Sequence, residues 1–108
     1  SARLNNIVAI IDRNHMQSAG FVDNMDMAAK WKSFGWNTIR VNGNSIEEIL
    51  CACKWIHVWE QSSEKPTVII ANTVKGKGVS FMENVLEWHY RFPNDEELIL
   101  ALQEVNNA

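Results

Sequence analysis

Asp12 and Asn14 follow the apolar run Ile7-Val8-Ala9-Ile10-Ile11, and with the backbone carbonyl of Met16 they put oxygen donors on one short loop. A hard cation such as Mg2+ or Ca2+, bound beside a phosphate, takes oxygen ligands of this kind. Asp and Asn serve a purely structural turn equally well, so spacing alone leaves both uses open. Lys75-Gly76-Lys77-Gly78 sets two ammonium groups among glycines that let backbone N–H groups approach an anion. The run lacks the full phosphate-loop pattern and follows its strand at a different spacing, and a solvated turn has the same composition. His57 lies in a Trp-rich helical segment where packing or solvent accounts for it, whereas His89 follows Trp88 in an aperiodic stretch and is the better acid–base candidate. Cys51 and Cys53 stand two apart on a helix and point to roughly opposite sides, so they cannot bridge; two buried, reduced thiols are expected. No Gly-x-Gly-x-x-Gly turn and no nucleophile-elbow sequence occurs.

These groups need a scaffold, and the composition supplies one. A chain of 108 residues is the usual size of a single domain, and 46% hydrophobic with 21% charged residues is enough to fold around a core. Ten Lys and Arg against thirteen Asp and Glu give a net charge of −3, so no global basic field exists to hold a nucleic-acid backbone or an anionic membrane. Neither nucleic acid nor membrane is an expected partner. The apolar runs fall far short of the roughly 20 residues that cross a bilayer. The opening Ser1-Ala2-Arg3-Leu4-Asn5-Asn6 has no signal-peptide pattern, and a cytoplasmic location is expected.

Ile7 to Ile11 is β-branched and continuously apolar, which predicts a strand covered on both faces. After a polar connection through Gln17-Ser18-Ala19-Gly20, Met27, Ala28, Trp31 and Phe34 recur at helical spacing within Met25 to Phe34. Gly35 then offers a left-handed helix end. Trp36 to Val41 reads as a second strand, and Ser45 with Glu48 reads as a capping box opening a second helix. Its apolar stripe is Ile46, Ile49, Leu50, Cys53 and Ile56, with Trp55 and Trp59 beside it for a neighbouring domain or subunit to cover. Pro66 to Asn72 predicts a third buried strand that runs into the glycine turn. Asn94 caps a last helix with Leu98, Ile99, Leu102 and Val105 on one face. Strands alternating with helices predict an α/β fold, a parallel sheet with flanking helices. Ligands in such sheets sit beyond the carboxyl ends of the strands, which directs attention to Asp12–Gly20, Asn42–Ser45 and Asn72–Gly78.

Several ordered blocks carry a resemblance. Asn6-Ile7-Val8-Ala9-Ile10-Ile11-Asp12-Arg13-Asn14, Lys30-Trp31 to Phe34-Gly35-Trp36, and Lys65-Pro66-Thr67-Val68-Ile69-Ile70-Ala71 come first. Thr73-Val74-Lys75-Gly76-Lys77-Gly78-Val79-Ser80-Phe81-Met82-Glu83-Asn84, Glu87-Trp88-His89 and Pro93-Asn94-Asp95-Glu96-Glu97-Leu98 follow in register. Together they closely resemble transketolase, nearly end to end. The match is to the latter half of its thiamine diphosphate-binding domain, in the form found in split bacterial transketolases whose amino-terminal subunit is a separate chain. Residues 1–108 are then one partial thiamine diphosphate-binding domain. The Phe81-Met82-Glu83-Asn84 to Trp88-His89 block favours transketolase over related thiamine enzymes such as deoxyxylulose phosphate synthase or pyruvate dehydrogenase.

The resemblance implies transfer of a two-carbon ketol unit between ketose and aldose phosphates, dependent on thiamine diphosphate and Mg2+ or Ca2+. Asn14 matches the asparagine that closes the family's cofactor motif and would give its side-chain oxygen to the cation, with the Met16 carbonyl as a further ligand. Gly20 matches the turn glycine after the metal loop. Lys75 matches a lysine beside cofactor and substrate, and His89 matches a histidine that reaches the diphosphate and the substrate and would act as the catalytic group. The Gly-Asp-Gly part of the motif is expected upstream of Ser1, and an activating glutamate belongs to another domain. The chain is therefore expected to be inactive alone and to work with the remaining transketolase domains or subunit, in a homo-oligomer. Two departures add bulk where the family favours glycine: His15 after Arg13-Asn14, and Tyr90 after Trp88-His89. At a left-handed backbone position such a side chain costs on the order of 1 kcal/mol or forces a different path. A non-catalytic binding or scaffold module with a vestigial cofactor loop is the alternative function.

Overall fold

The computed structural model describes residues 4–17, 20–21 and 26–108. Ser18, Ala19 and Met25, which the sequence assigns to a connection and a helix start, lie outside the described residues. The elements are β1 (Val8–Arg13), β2 (Met16–Gln17), β3 (Gly20–Phe21), α1 (Met27–Ser33), β4 (Asn37–Asn42), α2 (Ile46–Ser62), β5 (Thr67–Asn72), a 3-10 turn (Leu86–His89) and α3 (Asp95–Asn106). They divide between two compact units: residues 1–15 with 23–73, and residues 16–22 with 74–108.

The first unit is the expected α/β fold, with a three-stranded parallel sheet in the order β1-β5-β4. β5 is central and carries the apolar run Val68-Ile69-Ile70-Ala71, all of it buried. Successive side chains of a strand point to opposite faces, so this one segment feeds two cores. Ile69 and Ala71 join Val41, Ala52 and Ile56 beneath α2; Val68 and Ile70 join Ala28, backed by Ala9, Ile11, Trp31 and Trp36, beneath α1. Among the described residues only β5 has the two-sided burial that the sequence also predicts for the first strand. β1 is an edge strand with one covered face, and Ile10 is 69% exposed.

α1 stops where Gly35 predicts. Gly35, at φ 86°, donates its N–H to the Lys32 carbonyl, and Trp36 donates to the Trp31 carbonyl, the two bonds of a Schellman ending. The accompanying apolar contact is the edge-to-face pair Trp31–Trp36, with ring centroids 4.8 Å apart. Phe34, expected on the packed face, is 81% exposed. In α2 the packed stripe is Ile49, Ala52 and Ile56, and Ile46, Leu50 and Cys53 are exposed. The small Ala52 lets the helix approach the sheet, which turns the larger side chains outward. Cys51 and Cys53 are both exposed, which corrects the expectation of buried thiols. Only half of the predicted capping box at this helix forms. Ser45 accepts from the Glu48 N–H, but the Glu48 carboxylate accepts from the Asn42 N–H at 2.8 Å and ties the helix start to the end of β4.

The second unit holds the antiparallel pair β2–β3, the loop from Val74 to Val85, the 3-10 turn and α3. Asn94 and Glu97 form a complete capping box. Of the apolar face expected for α3, Leu98, Ile99, Leu102 and Val105 are all about half exposed, and Ala101 is the buried residue of this helix.

Two consequences can be measured. A Cβ on Gly43 would stand 2.5 Å from Thr73 Cγ2 and 3.0 Å from Ala71 Cβ. Gly43→Ala should therefore lower stability by about 1–3 kcal/mol, the usual cost of overpacking, read from the urea midpoint. At the start of α1, Asp26 accepts from the Ala29 N–H and from Arg40. The Ala29 bond first, and Arg40 after it, hold the Asp26 carboxyl below its usual range. Because the folded value is depressed, the stabilisation is complete above the ordinary carboxylate range and fades as pH falls through the lowered value. Asp26→Asn should keep most of the stability that Asp26→Ala loses, since the cap outweighs an exposed ion pair. Thermal unfolding at pH 7 and in acid checks both the ranking and the pH trend.

Candidate functional site

In the first unit, parallel pairing sets Arg13, Asn72 and Asn42 side by side, so β1, β5 and β4 end level at their carboxyl ends. Asn14 leaves β1 at this edge and is half-buried. The edge is held by bonds from both outer strands to the β5 end: Gly43 N–H to the Asn72 carbonyl at 2.7 Å, and Thr73 N–H to the Arg13 carbonyl at 3.0 Å. Thr73 also donates its hydroxyl to Asp12 Oδ1. The Asp12 carboxylate, grouped with Asn14 as a cation ligand on spacing alone, therefore braces β1 against β5 through one of its oxygens. Nothing in the sequence pairs residues 61 positions apart; the contact exists only through the strand register. His15 adopts φ 61°, so the backbone keeps the left-handed step after Asn14 despite its side chain.

In the second unit, Met16 pairs with Phe21 and Gln17 with Gly20 across β2–β3. Lys75 opens a closed loop in which its carbonyl accepts from the Asn84 N–H at 2.9 Å. Gly76 has φ 78°, and a Cβ there would stand 2.6 Å from the Met82 carbonyl oxygen, so glycine is required for the loop to fold back on itself. The Glu83 carboxylate accepts from the Gly78 N–H and pairs with Lys77 at 3.8 Å. Half of the phosphate-suited turn is thus engaged by an internal anion, which leaves Lys75 as its cation without an ion pair among the described residues. Asn84, at φ 57°, closes the loop.

His89 ends the 3-10 turn. It is exposed, with its ring edge-on to Tyr90 at 4.8 Å. Tyr90 has φ −120°, so the added bulk carries no left-handed strain. The neighbouring Trp88 donates its indole N–H to the Phe81 carbonyl at 3.2 Å and lies beneath the Arg91 guanidinium, 4.2 Å from the ring centroid. Arg91 also pairs with Glu97 and Glu87. Lys75 and His89 thus share one unit, Met16 and Gly20 lie in its β2–β3 pair, and Asn14 belongs to the other unit.

No group of three or more His, Cys, Asp or Glu able to hold a metal occurs among the described residues. In the first unit the Asn14 side-chain oxygen is of the donor type that suits a hard cation, which takes six or so oxygen ligands, so any such site draws most of its ligands from elsewhere. No helix among the described residues is long and apolar enough to cross a membrane.

Residues 1–104 match the family described as transketolase, thiamine diphosphate binding domain, and the chain belongs to that family. It is 37% identical over 108 residues to an apulose-4-phosphate transketolase subunit of Phocaeicola vulgatus, covering 96% of this chain and 37% of that subunit. It is 34% identical over 107 residues to the 6-deoxy-6-sulfo-D-fructose transketolase subunit SqwG of a Clostridium species, covering 95% of this chain and 38% of that subunit. Human transketolase is 38% identical over 91 residues, which is 81% of this chain and 14% of that enzyme. The chain thus spans less than two fifths of the length of these curated relatives. The solved transketolase of Campylobacter jejuni superposes with a TM-score of 0.65 at 20% identity, over 97% of this chain and 20% of that one, a likeness of fold.

The strained step after Asn14 gives a direct check. His15→Val should be less stable than His15→Gly by about 1 kcal/mol or more, because a β-branched residue tolerates φ 61° poorly. Paired denaturant unfolding curves measure the difference.

Proposed function

We propose that the chain is the latter part of a thiamine diphosphate-binding domain in a split transketolase, working in the transfer of a two-carbon ketol unit between ketose and aldose phosphates. The supporting observation is the level carboxyl edge of the parallel sheet, from which Asn14 emerges where ligands of such sheets bind. Asn14 gives its side-chain oxygen, and Met16 its carbonyl, to a Mg2+ or Ca2+ ion that neutralises the diphosphate. Gly20 shapes the turn beside them. Lys75 faces phosphate, and His89 donates a hydrogen bond to the diphosphate and to substrate hydroxyls, the catalytic role. Thiamine diphosphate, when bound, supplies the thiazolium that takes up electron density during carbon–carbon cleavage. Remaining ligands come from the other transketolase domains or a partner subunit, so the chain alone is inactive. The assembled enzyme is a cytoplasmic homo-oligomer acting on sugar phosphates.

The test is a graft. This chain replaces the matching 108 residues of the Phocaeicola vulgatus protein, with that enzyme's own partner subunit supplied, and thiamine diphosphate binding is followed by calorimetry with and without Mg2+. The graft should bind in a Mg2+-dependent way, and Asn14→Ala should weaken binding at least tenfold, about 1.4 kcal/mol. A graft that folds and assembles yet does not bind, or whose affinity ignores Asn14→Ala, would overturn the proposal.

A further inference from the structure

In the second unit the loop bearing Lys75 is tied to α3 by a carboxylate. Glu104 accepts the Ser80 backbone N–H on one oxygen and the Ser80 hydroxyl on the other, the latter at 2.6 Å. Bonds to an ionised acceptor are about twice as strong as neutral ones, and a two-point grip also fixes orientation. Ser80 sits between two branches. On one side Val79 donates its N–H to the Gly76 carbonyl at 3.1 Å, and Gly76 follows Lys75. On the other, the Phe81 carbonyl accepts the Trp88 indole N–H, and Trp88 precedes His89. Phe81 and Trp88 also meet edge to face, 5.7 Å between centroids.

We infer that Glu104 is a positioning residue: by gripping Ser80 at the junction of these branches it fixes Lys75 and His89 relative to each other. The inference rests on the role proposed above for those two residues. Glu104 itself has no assigned contact with cofactor or substrate and acts through Ser80. The same Ser80 bonds hold its carboxyl below the usual range, so the grip stays ionised from neutral pH into the acid range.

Amide hydrogen exchange and the His89 imidazole resonances of the 108-residue chain, recorded by NMR, test the grip without reference to activity. In Glu104→Ala the amides of Val79, Met82 and Asn84 should exchange at least tenfold faster and the His89 ring signals should move. The amides of β5, in the other unit, should keep their rates. Glu104→Gln, which keeps one acceptor, should fall between Glu104→Ala and the unaltered chain, and adding Ser80→Ala to Glu104→Ala should change little more. Unchanged loop rates, or equal acceleration in β5, would overturn the inference. In the complete enzyme Glu104→Ala should weaken thiamine diphosphate binding at least tenfold, and a loosened loop with unaltered affinity would overturn the positioning role. Failure of the unaltered complete enzyme to bind thiamine diphosphate would instead overturn the cofactor assignment, with the exchange rates still deciding whether the grip exists.

Discussion

The burial of β5 on both faces, with a parallel partner on each side, is the constraint from which the first unit follows. A strand placed this way has to be apolar throughout, and Val68 to Ala71 satisfies that demand by sending alternate side chains into two separate cores. Its register also decides where the polar groups go. Because Arg13 and Asn42 pair with the same Asn72, three strands end at one level, and Asn14 leaves β1 at that shared edge. Gly43 and the Asp12–Thr73 bond tighten that edge by close approach of backbone and by a side-chain brace.

The second unit combines apolar and polar contacts. Its terminal helix leaves about half of its leucine, isoleucine and valine surface open and buries Ala101, while Arg91 stacked on Trp88 and paired with two glutamates, Glu83 folded into the glycine turn, the Phe81–Trp88 ring pair and the Ser80–Glu104 bonds orient its loop and 3-10 turn. Directional polar contacts of this sort set geometry well but contribute little net stability when solvent reaches them. The open apolar face of α3 and the exposed edge of β1 are unfilled packing surfaces in their respective units.

Much of this was legible in the residues themselves. Gly35, Ser45 and Asn94 act at helix ends where their local chemistry predicts, because capping depends on neighbours three or four positions away. The apolar run of β5 and the alternation of strands and helices announced a parallel sheet for similarly local reasons. What escaped notice was set by packing at a distance. The stripe through Ala52 could not be told from one through Leu50 and Cys53 by hydrophobicity, since closeness of approach favours the smaller residue. Likewise, the engagement of Asp12 by Thr73 and of Lys77 by Glu83 appears only once strands and loops are paired, and it gives both groups a structural partner that spacing alone does not show. The resemblance fixed on Asn14, Lys75 and His89, and Asn14 falls in a different unit from the other two.

The pairing of Val8 with Thr67 has a kinetic side. Asn37 reaches the same Thr67 across roughly half the intervening chain, with α2 between to guide it, so β4, α2 and β5 can associate as a local crossover before β1 arrives. Closing the longer loop carries the larger entropic cost, and non-local parallel contacts form late. Until β1 docks, one margin of β5 stays unpaired and Val68 and Ile70, though covered by α1, lack Ala9 and Ile11, which leaves an edge open to mispairing with neighbouring chains.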